Sequence, residues 1–247
     1  VSQLLDGLLD PALRNEARLA KARFLMSLEG REFDAVELLK DALGEEPGHP
    51  EAAELLGRLY EKSGYDEDLV ELLQQQLARD NQDLGLIVEL TLKLGALLEK
   101  VRRDDALDVY RRGLDWVPTD RGVIEAYLAM LGPDDDPRER AEVREKLLGI
   151  EVGDAASRLA RELYAEWETL EDPDGTLRAL ALGYHGNPED TGLRESLEAR
   201  YRANEDWAAL ADFLGMEATR LVGSDPDGAI ARLREAARLR REMLGDT

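Results

Sequence analysis

Apolar residues recur at every third or fourth position along most of this chain, and short polar breaks containing glycine or proline separate the runs. The clearest example covers residues 51–77, where the first run stops at Gly64 and the second restarts after it. The apolar positions of the two runs are Ala53, Leu56, Gly57, Tyr60, Leu69, Leu72, Leu73 and Leu77. This spacing predicts two amphipathic helices, and so short a break predicts that they are antiparallel.

The same pattern predicts helices along the whole chain. Fourteen are expected, with starts near residues 2, 11, 33, 49, 66, 83, 103, 119, 136, 153, 174, 189, 206 and 226. In three of the breaks, 132–137, 171–175 and 224–228, an aspartate precedes a proline or glycine, which is the chemistry of a capped helix start. The predicted fold class is therefore all-α.

A longer period is superimposed on the helices. Pro47, Pro118 and Pro188 each close a pair of helices, at a nearly constant spacing of about 70 residues. Helices 66–79, 136–149 and 206–222 are equivalent under this period, and the apolar residues shared by the first and last are Leu69, Leu72 and Leu73, then Leu210, Phe213 and Leu214. A fixed period of this size predicts stacked helical units, because each unit has an apolar face that only its neighbours can bury. We expect a single array over residues 1–247.

The helix pairs resemble the tetratricopeptide repeat (TPR), which is marked by small and large apolar residues spread over two antiparallel helices. The first matching unit contains Leu19, Ala22, Met26, Ala35, Leu39, Ala42 and Pro47, and the second contains Ala53, Leu56, Gly57, Tyr60 and Leu73. Weaker matches are Leu90, Leu94, Gly95, Leu98, Tyr110, Gly113 and Pro118, and then Ala160, Leu163, Trp167, Leu180, Gly183 and Pro188.

This resemblance implies a right-handed α-α superhelix, a solenoid of about fourteen helices. Residues 226–244 match the first helix of a pair and residues 2–9 match the end of one, so we expect the chain to be part of a longer array.

Small and aromatic residues mark the expected contacts between helices. Gly57 and Ala42 are predicted to lie against neighbouring helices at close approach. Small residues also recur in equivalent helices at Ala22, Gly95, Ala165 and Ala237, either for close packing or as the floor of a ligand pocket. Of the tryptophans, Trp167 and Trp207 are expected in the core and Trp116 under a turn between repeats.

The charge of the chain restricts its partners. Its 54 acidic and 32 basic residues give a formal charge of −22, which disfavours binding to a phosphate backbone or an anionic membrane. The acidity has two interpretations, a solvated surface that maintains solubility or attraction for basic partners. No apolar run is long enough to predict a membrane span. Cysteine is absent, which leaves the compartment open, with a slight preference for the cytoplasm over export.

The residues that could support catalysis or hold a metal are few. His49 and His185 are the only histidines, lie in distant repeats and are expected in exposed turns. The two DPDG segments do not fit a calcium loop, because its last ligand position would be Ala181 or Arg234 rather than a carboxylate. No phosphate-binding or nucleophile motif is present. We therefore predict no catalytic residue, no metal and no cofactor, and no enzyme activity for this chain.

The TPR resemblance implies a protein-interaction scaffold whose concave face, lined by the first helix of each pair, binds a peptide or partner protein. The side chains expected on this face are Glu51, Glu54, Arg58, Glu61, Glu125, Arg158, Arg161, Glu195 and Arg202. The set by which chaperone-binding relatives hold a terminal carboxylate is not matched, since Ala20, Phe24, Glu54 and Arg58 occupy those places. A partner with basic or mixed charge is expected instead.

Several alternatives remain open from the sequence. The chain could be a regulatory or targeting segment of a larger enzyme, such as a kinase or a transferase, or it could be a spacer with no ligand. The basic residues of the last helix could dock an acidic partner or pair with acidic residues of adjacent repeats; they are Arg232, Arg234, Arg238, Arg240 and Arg241. The oligomeric state is not predicted.

Overall fold

A computed structural model describes residues 10–79 and 83–245 of the chain. Within these residues it contains thirteen α-helices and no strand. They are α1 (Pro11–Met26), α2 (Glu32–Glu45), α3 (Pro50–Ser63), α4 (Asp66–Leu77), α5 (Leu84–Glu99), α6 (Arg103–Trp116), α7 (Arg121–Met130), α8 (Pro137–Leu148), α9 (Gly153–Thr169), α10 (Pro173–Gly186), α11 (Thr191–Ala203), α12 (Trp207–Leu221) and α13 (Pro226–Met243). Thirteen of the fourteen predicted helix starts lie within two residues of the first residue of an observed helix. The helix expected at residue 2 lies outside the described residues.

The chain divides into two compact units, residues 1–131 and 132–247. The expected single array over residues 1–247 therefore stays a prediction, and each unit is described by itself. None of the helices in the described parts is long and apolar enough to cross a membrane.

The first unit consists of α1 to α7, and each helix packs mainly against the next one in the chain. The pairs α1–α2 and α5–α6 form the largest of these contacts, and α5 also contacts α7. The residues between helices include Leu39, Leu56, Leu69 and Leu94, all of which are nearly inaccessible to solvent. Contacts between consecutive helices are what a helical repeat requires, since each amphipathic face is buried only by its neighbour.

The second unit consists of α8 to α13. Its main cluster surrounds Trp167 of α9, which is fully buried, and α9 packs closely against α10. A smaller cluster joins α12 to α13 through Leu210, Leu214 and Leu239. The equivalence of helices 66–79 and 206–222 is reflected here, because all six of their shared apolar residues are buried; they are Leu69, Leu72, Leu73, Leu210, Phe213 and Leu214.

The helix boundaries follow from local capping chemistry. The carboxylates of Asp136, Asp172 and Asp225 accept hydrogen bonds from backbone N–H groups at the starts of α8, α10 and α13, and a proline follows each of them. At the end of α3, Gly64 adopts a left-handed conformation with φ of 68°, which a residue with a Cβ adopts only at a cost. These local signals are why the sequence predicts the boundaries well.

Close approach between helices occurs at Gly95, as expected, and at Gly183, but not at Gly57. A Cβ added to Gly57 would meet Leu69 Cδ1 at 3.7 Å, an ordinary contact, so the prediction of close approach there was wrong. A Cβ added to Gly183 of α10 would lie 2.2 Å from Ala160 Cβ of α9, and one added to Gly95 would lie 2.3 Å from the Tyr110 ring. Ala42 is fully buried. The tight seams at these glycines are therefore in the pairs α5–α6 and α9–α10.

Two other packing predictions need correction. Trp116 at the end of α6 is 46% exposed rather than covered by a turn. Ala165 and Ala237 are exposed, so these members of the small-residue series do not hold helices together. Trp207 is half-buried against the cluster of α12 and α13.

Candidate partner-binding site

The residues expected on the partner-binding face fall into separate groups. Glu51, Glu54, Arg58 and Glu61 lie on α3, and Glu125 lies on α7, all in the first unit. The others lie in the second unit, where Arg158 and Arg161 are on α9 and Glu195 and Arg202 are on α11. The nine side chains thus fall into two sets of opposite composition, one mainly acidic and one mainly basic, and within the acidic set only the residues of α3 share a helix.

Ion pairs already occupy the acidic set on α3. Glu51 pairs with Arg23 of α1, and Glu61 Oε1 lies 2.5 Å from Lys93 Nζ of α5. Within α3, Glu54 pairs with Arg58 four residues later. These pairs connect α3 to the first helices on either side of it, α1 and α5, so two of its three carboxylates have a structural role within the unit.

Glu125 of α7 is likewise paired within its own helix. Its Oε1 lies 3.1 Å from Arg121 Nη1, and both side chains are about half exposed. A pair of this kind on the surface of one helix contributes only a few tenths of a kcal/mol, about 0.3–0.5. Glu125 is therefore paired within α7, a helix that has no extensive contact with α3 among the described residues.

In the second unit, Arg161 and Arg202 connect neighbouring helices. Arg161 Nη2 donates to both carboxylate oxygens of Asp190, at 2.8 and 2.6 Å, and Asp190 caps the start of α11. Arg202 reaches Glu235 of α13 at 2.8 Å and Glu198 of its own helix at 3.3 Å. Both arginines therefore hold one first helix against the next.

The other two members of this set are available to solvent. Arg158 is exposed and forms no ion pair within residues 10–79 and 83–245. The Glu195 side chain is 74% exposed, and its nearest cation, Arg194 Nη2, is 3.8 Å away, which is longer than a hydrogen bond. Two charges of opposite sign are thus left for interactions with another molecule.

A groove runs between α9 and α11, with α10 beneath it. It encloses about 490 Å³ and is lined mostly by apolar surface. Its lining residues are Arg161 and Tyr164 of α9, Leu180 of α10, and Leu193, Ser196, Ala199, Arg200 and Ala203 of α11. Ser196, Ala199 and Ala203 are spaced three and four residues apart, so these small side chains form one open face of α11.

Ion pairs bridge the groove at both ends. Arg161 and Asp190 close the end at the start of α11. At the other end Arg200 pairs with Glu168, donates to the Tyr164 hydroxyl at 2.8 Å and lies 5.5 Å from the centre of the Tyr164 ring. Arg161 precedes Glu168 along α9, and Asp190 precedes Arg200 along α11. Because the bridges come in the same order, α9 and α11 run in the same direction.

Hydrogen bonds shift the pKa of one member of each bridge, Asp190 and Arg200. Burial by itself raises the pKa of Asp190, but hydrogen bonds from Ser157, the Leu193 N–H and Arg161 outweigh burial and hold the pKa below its usual value. Burial likewise lowers the pKa of Arg200, but Glu168 and Tyr164 raise it above its usual value. The Asp190 carboxylate and the Arg200 guanidinium, one in each bridge, are therefore stabilised in their charged forms.

Each unit also contains a pocket next to a repeat proline. The pocket in the first unit is lined by Lys40, Leu43, Gly44, Pro47, Leu56, Tyr60, Asp68, Glu71, Leu72 and Gln75. Most of these positions recur two repeat periods later in the pocket of the second unit, at Ala181, Tyr184, His185, Pro188, Leu197, Tyr201, Phe213 and Met216. The two pockets are thus equivalent in the repeat, but the first has several charged residues and the second is mainly aromatic and apolar.

The basic residues of α13 are mostly paired. Arg232 Nη1 lies 2.6 Å from Glu198 of α11, and Arg240 Nη2 lies 2.6 Å from Asp212 of α12. Arg238 and Arg241 both contact Glu242 of their own helix, at 3.6 and 3.3 Å. Pairing with adjacent helices therefore accounts for two of these arginines, and Arg234 forms no ion pair among the described residues.

The two histidines lie apart and differ in role. His49 caps α3, with its Nδ1 accepting from the Ala52 N–H at 3.4 Å. His185 lies in the last turn of α10 rather than in the loop after it, where the sequence placed it. No group of three or more potential metal ligands occurs within the described residues.

The sequence did not single out several residues that form the groove. Tyr164 and Arg200 were missed because each belongs to an ordinary helical pattern, and only their contact across two helices makes them part of one site. The small residues of α11 gave a usable signal, since Ser196, Ala199 and Ala203 interrupt an otherwise charged face at helical spacing.

The repeat signature positions are buried between paired helices, as in Leu39, Leu56, Trp167 and Leu180. The helix pairs are TPR-like. The prediction of an all-α helical repeat of this kind is confirmed, and it rests on the helix pairs and burial of the chain itself.

Comparison with known proteins gives structural matches of the same kind. A TPR protein from Thermus thermophilus has a TM-score of 0.32 at 19% identity, over 75% of this chain and 98% of that one. A tetratricopeptide repeat protein from Parabacteroides merdae has a TM-score of 0.41 at 16% identity, over 94% and 95%. YrrB, a TPR protein described as having an unusual peptide-binding site, has a TM-score of 0.38 at 14% identity, over 72% and 89%.

No protein-family model matches the sequence. No curated protein matches it either.

Proposed function

We propose that this chain is a non-catalytic protein-interaction scaffold and that the groove between α9 and α11 binds a segment of a partner protein. The observation that supports this most is the groove itself, a space of about 490 Å³ with an apolar floor and small side chains along one wall. Apolar area flanked by a few charged groups is typical of surfaces that bind another chain.

The form of the groove favours an extended segment. It lies between two helices that run in the same direction, and among the described residues ion pairs bridge it at its ends alone. Tyr164 and Ala199 offer apolar contact along its length, and the exposed Ser196 leaves room above the floor. An extended peptide could place alternate side chains against this floor while its backbone remains accessible to water.

The proposal is tested by filling the groove. Ser196→Trp adds a large side chain to the groove wall, and Ser196 Oγ bonds only the Gly192 carbonyl of its own helix within the described residues, so little stability is lost. Ala208→Trp is the matched control, since Ala208 is exposed on α12 and does not line the groove. Both variants should melt close to the wild type.

Partners are then captured from the native host by crosslinking and identified by mass spectrometry. We expect the wild type and Ala208→Trp to recover the same proteins and Ser196→Trp to lose them. Equal recovery by a folded Ser196→Trp variant would place the interaction on another surface.

A further inference from the structure

We infer that the groove between α9 and α11 selects partner segments of mixed charge, with an acidic and a basic side chain a few residues apart and an apolar side chain between them. This inference rests on the proposed function of the same groove. It concerns which segments bind, which the shape of the groove alone does not decide.

The acidic side chain of the segment is assigned to the α9 side. Arg158 lies one helical turn before Arg161, on the same side of α9, is exposed and forms no ion pair within the described residues. Arg161 is 56% exposed, and in the part of the chain that the structure describes it reaches, apart from Asp190, only the Ser157 carbonyl, at 3.4 Å. These two guanidinium groups offer free donors to a carboxylate at this end of the groove.

The basic side chain of the segment is assigned to the α11 side. Glu195 immediately precedes the groove residue Ser196, and its side chain is 74% exposed. The Glu168 carboxylate is already paired with Arg200, and that of Asp190 with Arg161. Glu195 is therefore the carboxylate beside the groove that remains available for a cation.

The equivalent residues of the first unit explain why Glu195 has no arginine at the next turn of its helix. Glu54 is the equivalent of Glu195 two repeat periods earlier, and it pairs with Arg58 at the next turn of α3. The residue equivalent to Arg58 in the second unit is Ala199, which lines the groove. One small residue thus both opens the groove and leaves Glu195 without the partner that its equivalent has.

The spacing of the two ligand charges follows from helix geometry. Arg158 is three residues before the Arg161–Asp190 bridge, and Glu195 is five residues after it. At about 1.5 Å per residue the two charges are about 12 Å apart along the helices. Relative to the Glu168–Arg200 bridge, Arg158 is ten residues before Glu168 and Glu195 is five residues before Arg200. The difference of five residues places the two charges about 8 Å apart along the helices. An extended segment advances about 3.3 Å per residue, so its acidic and basic residues should be two to four positions apart.

The test uses a random peptide library of about twelve residues displayed on phage, selected on the full chain after depletion on Ser196→Trp. We expect the enriched peptides to share an acidic and a basic residue two to four positions apart around an apolar one. Enriched peptides that lack this charge pair would overturn the inference while leaving the groove as a binding site. Failure of any peptide to be enriched over Ser196→Trp would overturn both the inference and the proposed function.

Two variants then test the residues assigned. In Ala199→Arg, the new side chain should pair with Glu195 as Arg58 does with Glu54. A selected peptide should then bind about three- to tenfold more weakly at low salt, because it loses an exposed ion pair and part of its contact with the groove. In the double variant Arg158→Glu, Glu195→Arg, selection should return the opposite order of charges. Arg112→Glu is the control, because Arg112 is an exposed arginine of α6 in the other unit. The same charge order from the double variant would refute the assignment.

Discussion

The contact between Gly183 and Ala160 makes a quantitative test of how closely α9 and α10 approach. In Gly183→Ala, the new Cβ would lie 2.2 Å from Ala160 Cβ and 3.2 Å from Leu193 Cδ1. Carbon atoms pack favourably at about 3.5–4.0 Å, so the two helices would have to separate by about 1.5 Å. Neither Cβ can rotate away, because both are fixed to helical backbone.

The expected cost is the difference between two effects. Overpacking of this kind destabilises by about 1–3 kcal/mol, and a clash between two fixed atoms belongs near the upper end. Replacing glycine by alanine within a helix contributes about 1 kcal/mol in the opposite direction. We therefore expect Gly183→Ala to lower the free energy of unfolding by about 1–2 kcal/mol.

Gly215→Ala is the matched control in the same unit. Gly215 lies within α12, and no atom of another described helix lies within 4 Å of where its Cβ would be. Only the helix preference remains, so this variant should gain about 0.5–1 kcal/mol. The two variants should then differ in melting temperature by about 3–12 °C, followed by circular dichroism at 222 nm.

A second substitution tests the cause directly. Ala160→Gly removes the atom with which the new Cβ would clash, so it should be less harmful in the Gly183→Ala background than in the wild type. Equal melting temperatures for Gly183→Ala and Gly215→Ala, or strict additivity of the two substitutions at this seam, would show that α9 and α10 are further apart than the structure indicates.

Two other predictions follow from burial and charge. Acrylamide should quench the fluorescence of a variant that keeps only Trp116, which is 46% exposed, far more steeply than one that keeps only Trp167, which is fully buried; similar quenching would contradict this packing. The pKa of Asp190 is lower in the folded chain than in the unfolded chain, where it is about 3.9, so the charged carboxylate stabilises the fold above that pH. This stabilisation is lost as the pH falls through the pKa of the folded chain. Asp190→Asn should therefore be less stable than the wild type in urea titrations at pH 7, with the difference shrinking towards pH 3; a difference independent of pH would exclude a role for this charge.

The sequence determines the helices because their signals are local. The spacing of apolar residues and the capping chemistry act within a few residues, so Asp172, Asp225 and Gly64 mark boundaries that the structure confirms. The long period marked by the repeat prolines is also in the sequence, and it correctly relates Leu69 and Leu72 to their buried equivalents in the second unit.

Several features of the candidate site depend on the tertiary structure. Whether a glycine lies at close approach depends on the distance between two backbones, so Gly57 and Gly183 look alike in the sequence and differ in the fold. Ion pairing between helices likewise decides which charges remain available, since Glu61 is bound to Lys93 and Arg158 has no such partner among the described residues.

The groove shows how the sequence and the tertiary structure together determine a site. The sequence contains Arg58 and Ala199 at equivalent places, but it does not reveal that this difference opens a space above Leu180 and leaves Glu195 exposed. Local patterns specify which residues form a helix and which face is apolar. Only packing between helices that are distant in the sequence decides which of the remaining side chains face one another across a groove, because that depends on helix position and not on helix formation.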